Sequence, residues 1–135
     1  MPFVLDASVT LTWCFEDQSS HYSEAVLAAL QTDTAYVPVI WELEVLNALL
    51  GAERKKLLSH ADCLGFWQSM NSFSVKRYDA HVQPLELYAI GLEYRLSAYD
   101  STYLELAIKL GLPLASLDKK IRSAAELAGV KLLNI

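Results

Sequence analysis

Phe3-Val4-Leu5-Asp6 is an apolar run too brief for a helix, and it stops abruptly on a carboxylate. Four later stretches resemble it in length: Ala35-Tyr36-Val37, Phe73-Ser74-Val75, Leu114-Ala115-Ser116-Leu117 and Lys131-Leu132-Leu133. Short runs of this kind, set between longer segments of helical period, are expected to be strands. The helical segments run roughly from Ser20 to Gln31, Val39 to Lys56, His60 to Asn71, Leu85 to Arg95, Ser101 to Leu110 and Lys119 to Ala128. Gly111, with Pro113 just beyond it, and Gly129 stand where the last two helices should stop. Strands alternating with helices imply right-handed crossovers and a mainly parallel sheet covered on both faces. The expected fold class is α/β.

The chain has 135 residues, enough for one core but not two. It contains no repeat, low-complexity tract or Pro/Gly/Ser linker, so residues 1–135 are read as one domain. Hydrophobic residues make up 53% and charged residues 20%, too apolar a balance for a long disordered tail. The start has no basic leader and meets Asp6 almost at once, and no apolar run approaches the roughly 18 residues that span a bilayer. A cytosolic protein is expected. Cys14 and Cys63 lie far apart, with no Cys-x-x-Cys and no His at zinc spacing, and are expected to be buried free thiols. The formal net charge of -5 opposes a protein that grips nucleic acid by bulk electrostatics, because that mode needs a basic face. It leaves room for a nuclease, whose own centre must be acidic and whose substrate needs only a local basic rim.

Asp6 ends the first strand and Asp118 ends the fourth, and each directly precedes a helical segment. Asp100, in Tyr99-Asp100-Ser101-Thr102, is likewise expected directly before a helix. Ligands of open parallel sheets bind in the crevice outside the carboxyl ends of the strands, which is where these residues fall. Taken singly, each Asp is equally well explained as a helix N-cap.

Glu44 is harder to explain away. At about 100° per residue, the helix around Trp41 to Gly51 places Glu44, Asn47 and Gly51 on one narrow stripe, with apolar residues over most of the remaining circumference. So apolar a helix is expected to be largely buried, and a buried carboxylate is costly unless it is paired or coordinates a metal. Arg54 is the alternative partner, and a solvated groove the alternative setting; Glu42, in the first turn, is explained by the helix dipole. Four acids brought together repel one another unless a cation is present. Mg²⁺ or Mn²⁺ suits such an oxygen-only set; zinc does not, as no His accompanies the acids. The chemistry that follows is phosphodiester hydrolysis by a metal-activated water.

Val4-Leu5-Asp6-Ala7-Ser8-Val9, Leu43-Glu44-Val45-Leu46-Asn47-Ala48-Leu49, Ser97-Ala98-Tyr99-Asp100-Ser101-Thr102-Tyr103-Leu104-Glu105-Leu106-Ala107 and Leu117-Asp118-Lys119-Lys120 together resemble the PIN-domain ribonucleases. The resemblance is strongest to the VapC toxins of type II toxin-antitoxin systems, and it runs from the first strand to the last. It implies a three-layer α/β/α domain with a five-stranded, mainly parallel sheet, and Mg²⁺- or Mn²⁺-dependent endoribonuclease activity. It also implies a homodimer and a VapB-type antitoxin that binds and inhibits the toxin. By the same resemblance Asp6, Glu44, Asp100 and Asp118 are the metal-binding, catalytic acids, and Ser8 is a hydroxyl that supports Asp6. Asn47 is a lesser candidate, and Ser101 stands where Ala is more usual.

Three basic groups are available for a substrate rim: Arg54-Lys55-Lys56, Lys76-Arg77 and Lys119-Lys120-Arg122. The first two read as solvated surface. Lys119 and Lys120 oppose the dipole of the helix they begin, and beside Asp118 they are placed to meet an RNA phosphate. Trp13, Trp41, Trp67 and Tyr103 are expected in the core or an interface rather than as base-stacking platforms. His21, His60 and His81 are isolated and receive no role. The competing readings are a catalytically silent PIN scaffold, a DNA-directed nuclease, and a receiver-like signalling domain with an acidic metal pocket. The last would want adjacent acids after the first strand and a late Lys, whereas here the fourth acid lies on a helix.

Overall fold

The computed structural model describes residues 1–135. Strand β1 (Phe3–Leu5) is followed by α1 (Ala7–Thr12), a 3-10 turn (Glu16–Gln18), α2 (His21–Ala29) and β2 (Ala35–Val37). Then come α3 (Ile40–Arg54), α4 (His60–Asn71), β3 (Val75–Arg77), α5 (Pro84–Tyr94), α6 (Ala98–Leu110), β4 (Leu114–Ala115) and α7 (Lys119–Leu127). No helix is long and apolar enough to cross a membrane.

The strands form one sheet in the order β3-β2-β1-β4, with every pairing parallel. Phe3 pairs with Ala35, Val4 with both Tyr36 and Leu114, and Leu5 with Ala115. All three residues of β1 are fully buried. This is why the strand reads as an unbroken apolar run: a central parallel strand is covered on both faces and has no polar side to show. The chain winds outward from β1 through β2 to β3 and then returns to place β4 on the other side of β1. Strand order therefore reverses between β1 and β4, and the crevice at their carboxyl ends is the topological switch point of the sheet.

Three strand boundaries differ from the sequence expectation. Strand β3 begins at Val75 rather than Phe73, because its register is set by Ala35 opposite Val75 and Val37 opposite Arg77. As an edge strand it exposes Lys76 and Arg77, so its pattern carries little apolar signal. Strand β4 stops at Ala115, where β1 gives way to α1, and the amides of Leu117 and Asp118 turn instead to the hydroxyls of Ser8 and Ser116. The expected fifth strand is reduced to one parallel bridge, Leu114 to Leu132, closed by Leu114 N–H to the Lys131 carbonyl and Leu133 N–H to the Leu114 carbonyl. A two-residue β4 offers no longer ladder. The ladder therefore has four strands, not five.

The helices begin where side chains satisfy their free amides. Ser20 and Ser59 cap α2 and α4, with Ser23 and Asp62 reaching back to the capping residue's own amide, while Pro84 opens α5. Ser97 caps α6 and moves its start to Ala98, three residues earlier than the sequence suggested. Helix α5 ends on Arg95 in the left-handed conformation, φ 58°. A side chain there is strained by about 1 kcal/mol relative to Gly. Arg95→Gly should raise the urea midpoint, by up to about 1 kcal/mol of stability; an unchanged or lowered midpoint would mean that the Arg95 side chain compensates the strain.

Candidate metal centre

The helices of a parallel sheet run back against the strands, so their amino ends collect at the strands' carboxyl edge. Asp6, Glu44, Asp100 and Asp118 all lie within the first two turns, or at the cap, of α1, α3, α6 and α7. Partial positive charge at these helix ends offsets some of the acids' mutual repulsion.

Asp6 occupies the N-cap position of α1, but its carboxylate makes no capping bond. It is only 4% exposed, and its Oδ2 accepts two hydroxyl donors, Ser8 Oγ at 2.6 Å and Ser116 Oγ at 2.8 Å. Each serine also accepts an amide at 3.0 Å, Leu117 N–H on Ser8 and Asp118 N–H on Ser116. The network thereby ties the end of β1 to the turn after β4. Both donors address Oδ2, and no buried side-chain oxygen lacks a partner, so Oδ1 faces solvent. Burial pushes the carboxyl up from 3.8 to about 6; the two hydroxyls oppose the change, while Glu44 and Asp100 add to it.

Asp100 is the third residue of α6, in its first turn, and its amide donates to Ser97 Oγ at 3.0 Å. It is therefore not the cap itself, although as an acid in the first turn beside Ser97 its carboxylate also gains from the helix end. Burial raises its pKa first and neighbouring Asp118 second, while Ser97 and then Lys120 pull the other way. Glu44 is half-buried on α3, accepts the Tyr103 hydroxyl at 2.5 Å on Oε1, and is raised by burial and by Asp100. Asp100 is thus electrostatically linked to Asp6, Glu44 and Asp118.

Two expectations about these acids need correction. Helix α3 is not largely buried: Trp41, Val45, Leu49 and Ala52 face the core, while Leu43 (56%), Leu46 and Leu50 (47%) are exposed. Glu44 is held by its position against Tyr103 rather than by apolar surroundings on every side, and Arg54 is not its partner. Capping, proposed for all three Asp residues, holds only for Asp118, whose Oδ1 accepts Lys120 N–H at 2.9 Å and Ile121 N–H at 3.0 Å. The residue can still present Oδ2. Asp118→Asn, which preserves the cap, should leave stability within about 0.5 kcal/mol, whereas Asp118→Ala should lower it by about 1 kcal/mol. If the carboxylate also serves a cation, both variants lose activity alike; activity that follows stability instead would leave Asp118 as a cap alone.

No three His, Cys, Asp or Glu side chains form a ready ligand shell. Uncompensated carboxylates spread apart, and one oxygen each of Glu44 and Asp118 is turned into the fold. The donor set still suits a hard divalent cation, being oxygen-only, with Asp6, Glu44 and Asp100 each raised chiefly by burial and further by a neighbouring acid.

The family model described as PIN domain matches residues 3–127. The chain belongs to the PIN-domain family. PIN domains are in general nucleases, and PIN nucleases in general use divalent metal. The fold is similar to that of PAE2754 from Pyrobaculum aerophilum, with TM-score 0.68, 20% identity, and 92% of this chain and 79% of that one covered. It is similar also to VapBC2 from Rickettsia felis bound to a DNA fragment from their promoter, with TM-score 0.67, 13% identity, and 99% and 98% covered. FitAcB from Neisseria gonorrhoeae gives TM-score 0.58 at 20% identity, with 99% and 97% covered. No curated protein matches the sequence.

The remaining residues of this PIN domain fall into place around the acids. Ser101 is fully buried and returns its hydroxyl to the Ser97 carbonyl at 2.7 Å, so it fills an Ala-sized site without leaving a polar group unpaired. Arg122 donates to the Ser116 carbonyl at 2.8 Å and lies over the Tyr22 ring, which makes it a brace for the site rather than part of a rim. Asn47, Lys119 and Lys120 are exposed. Sequence reading passed over Ser116 as part of a strand and Tyr103 as core. The available signal was symmetry of spacing: Asp6-Ala7-Ser8 after β1 is mirrored by Ser116-Leu117-Asp118 after β4.

Proposed function

We propose that the chain is a Mg²⁺- or Mn²⁺-dependent endoribonuclease of the VapC type, the toxin of a toxin-antitoxin pair. In this reading it acts in the cytosol as a homodimer and is held inactive by a VapB-type antitoxin. One observation supports the proposal most: Asp6, almost buried at the end of β1, is charge-coupled to Glu44 and Asp100, and Asp100 in turn to Asp118, each of the four standing near a helix start. The VapBC2 neighbour supports a toxin-antitoxin setting for this fold, and the motif resemblance supports RNA as the substrate.

When bound, Mg²⁺ or Mn²⁺ supplies Lewis acidity and a water of lowered pKa. Asp6, locked by Ser8 and Ser116, would offer Oδ1 to the ion, and Glu44, Asp100 and Asp118 would offer their remaining oxygens. Lys119 and Lys120, exposed beside Asp118, are positioned for the RNA backbone. Changing both to Ala should weaken cleavage and lower the slope of log activity against log salt by roughly 1. An unchanged slope would remove them from substrate binding.

Incubating the purified chain, free of any partner, with total RNA and Mg²⁺ or Mn²⁺ beside Asp6→Asn tests the whole reading. Cleavage by wild type alone is expected. Equal cleavage by both proteins rejects the acidic centre, and no cleavage by either leaves a PIN scaffold that only binds partners.

A further inference from the structure

Tyr103 is the bulkiest fully buried side chain in the molecule, and the chemistry described so far does not use it. A core position of that size needs only a ring. A hydroxyl is retained inside a core where it reaches a specific partner, because unpaired it would be costly. The partner here is Glu44 Oε1 at 2.5 Å, which joins α6 to α3 across 59 positions of sequence. Asp6 and the Ala7 amide lie beside the same phenol. The hydrogen bond runs from the phenol O–H to the carboxylate oxygen.

Glu44 has no other partner. It is half-buried at the margin of the core-facing side of α3, and without the phenol its flexible side chain would be free to swing into water. The geometry points to Tyr103 as a positioning residue: its buried O–H turns one Glu44 oxygen into the fold and leaves the other free for a cation that Asp6 and Asp100 would also hold. This inference rests on the proposed metal-dependent function and deepens it. A core tyrosine that merely has its hydroxyl satisfied would support the fold but would not couple to metal through Glu44.

The test is a cycle of Tyr103→Phe, Glu44→Ala and their double variant, each titrated metal-free with MnCl₂ by calorimetry and melted in EDTA to verify folding. Tyr103→Phe keeps the ring and is expected to bind Mn²⁺ about 10- to 100-fold more weakly, the usual effect of losing an outer hydrogen bond to a metal ligand. In the Glu44→Ala background the same change should cost no more than about twofold, since the group it positions is gone. Two results overturn the assignment: a folded Tyr103→Phe that binds Mn²⁺ as wild type does, or an equal loss in both backgrounds. If Tyr103→Phe fails to melt cooperatively, its hydroxyl is needed for the fold rather than for Glu44, and the assignment falls as well. Wild type that binds Mn²⁺ no better than Asp6→Asn overturns the proposed function itself, and that failure is distinguishable because it appears in the unmodified protein.

Discussion

Asp6→Asn is expected to be more stable than wild type at pH 7.5 without metal, and inactive on RNA. The carboxyl titrates near 6 in the fold and at 3.8 when unperturbed, so between these values the folded state holds a proton that the unfolded chain has released. Stability from this group is therefore present at low pH and lost as pH rises through the window from about 4 to 6. The gap corresponds to about 3 kcal/mol at neutral pH. Asn carries no charge to desolvate, and its single carbonyl can accept both Ser8 and Ser116. Urea unfolding in EDTA should show the two proteins converging near pH 4 and the variant ahead by about 3 kcal/mol above pH 6.

With saturating Mn²⁺ the order should reverse or close, because only wild type gains binding energy in the folded state. RNA cleavage by the variant should fall by at least about a hundredfold, the upper range for losing even an outer-shell partner of a metal ligand. A variant less stable than wild type at pH 7.5 in EDTA would show that Asp6 contributes to the fold more than its burial costs. Such an arrangement, in which a functional carboxylate weakens the apo fold, is the usual trade between stability and activity.

Ser116→Ala carries the second large effect, in the opposite direction on stability. Its hydroxyl donates to Asp6 and accepts the Asp118 amide, and the residue is fully buried. Removing it leaves a buried carboxylate short of one donor and an amide without its partner. Each such loss costs about 1–3 kcal/mol, so the variant should be less stable by about 2–6 kcal/mol. Metal affinity should fall about 10- to 100-fold with it. Ser8→Ala makes the internal control: Ser8 is only partly buried, so water can take over part of its role and the loss should be smaller. Denaturation in EDTA and Mn²⁺ titration measure the two consequences separately. A Ser116→Ala protein within 0.5 kcal/mol of wild type would mean that the serine bridge between β1 and β4 is incidental.

The sequence by itself determined the α/β class, because period and punctuation are local signals. The run Phe3-Val4-Leu5 can only be a doubly covered strand, His60–Asn71 matches its helix residue for residue, and Gly111 and Gly129 adopt the positive φ expected past a helix end. It also determined which acids to inspect, since an Asp after a strand falls at the sheet's carboxyl edge whatever the strand order turns out to be.

Tertiary structure alone decided the rest. Which neighbours flank β1, and hence where the switch point lies, depends on long-range pairing that no local pattern encodes. Strand β3 was misplaced because an edge strand exposes its side chains, and the fifth strand shrank to one bridge because β4 is two residues long. The difference between a cap and a free carboxylate was also invisible: Asp118 caps, Asp6 stands in a cap position without capping, and Asp100 lies three residues past the cap of its helix. Ser116 and Tyr103 escaped notice because their roles are contacts across 110 and 59 positions. Side-chain hydrogen bonds of that span arise only once the sheet and its helices have packed.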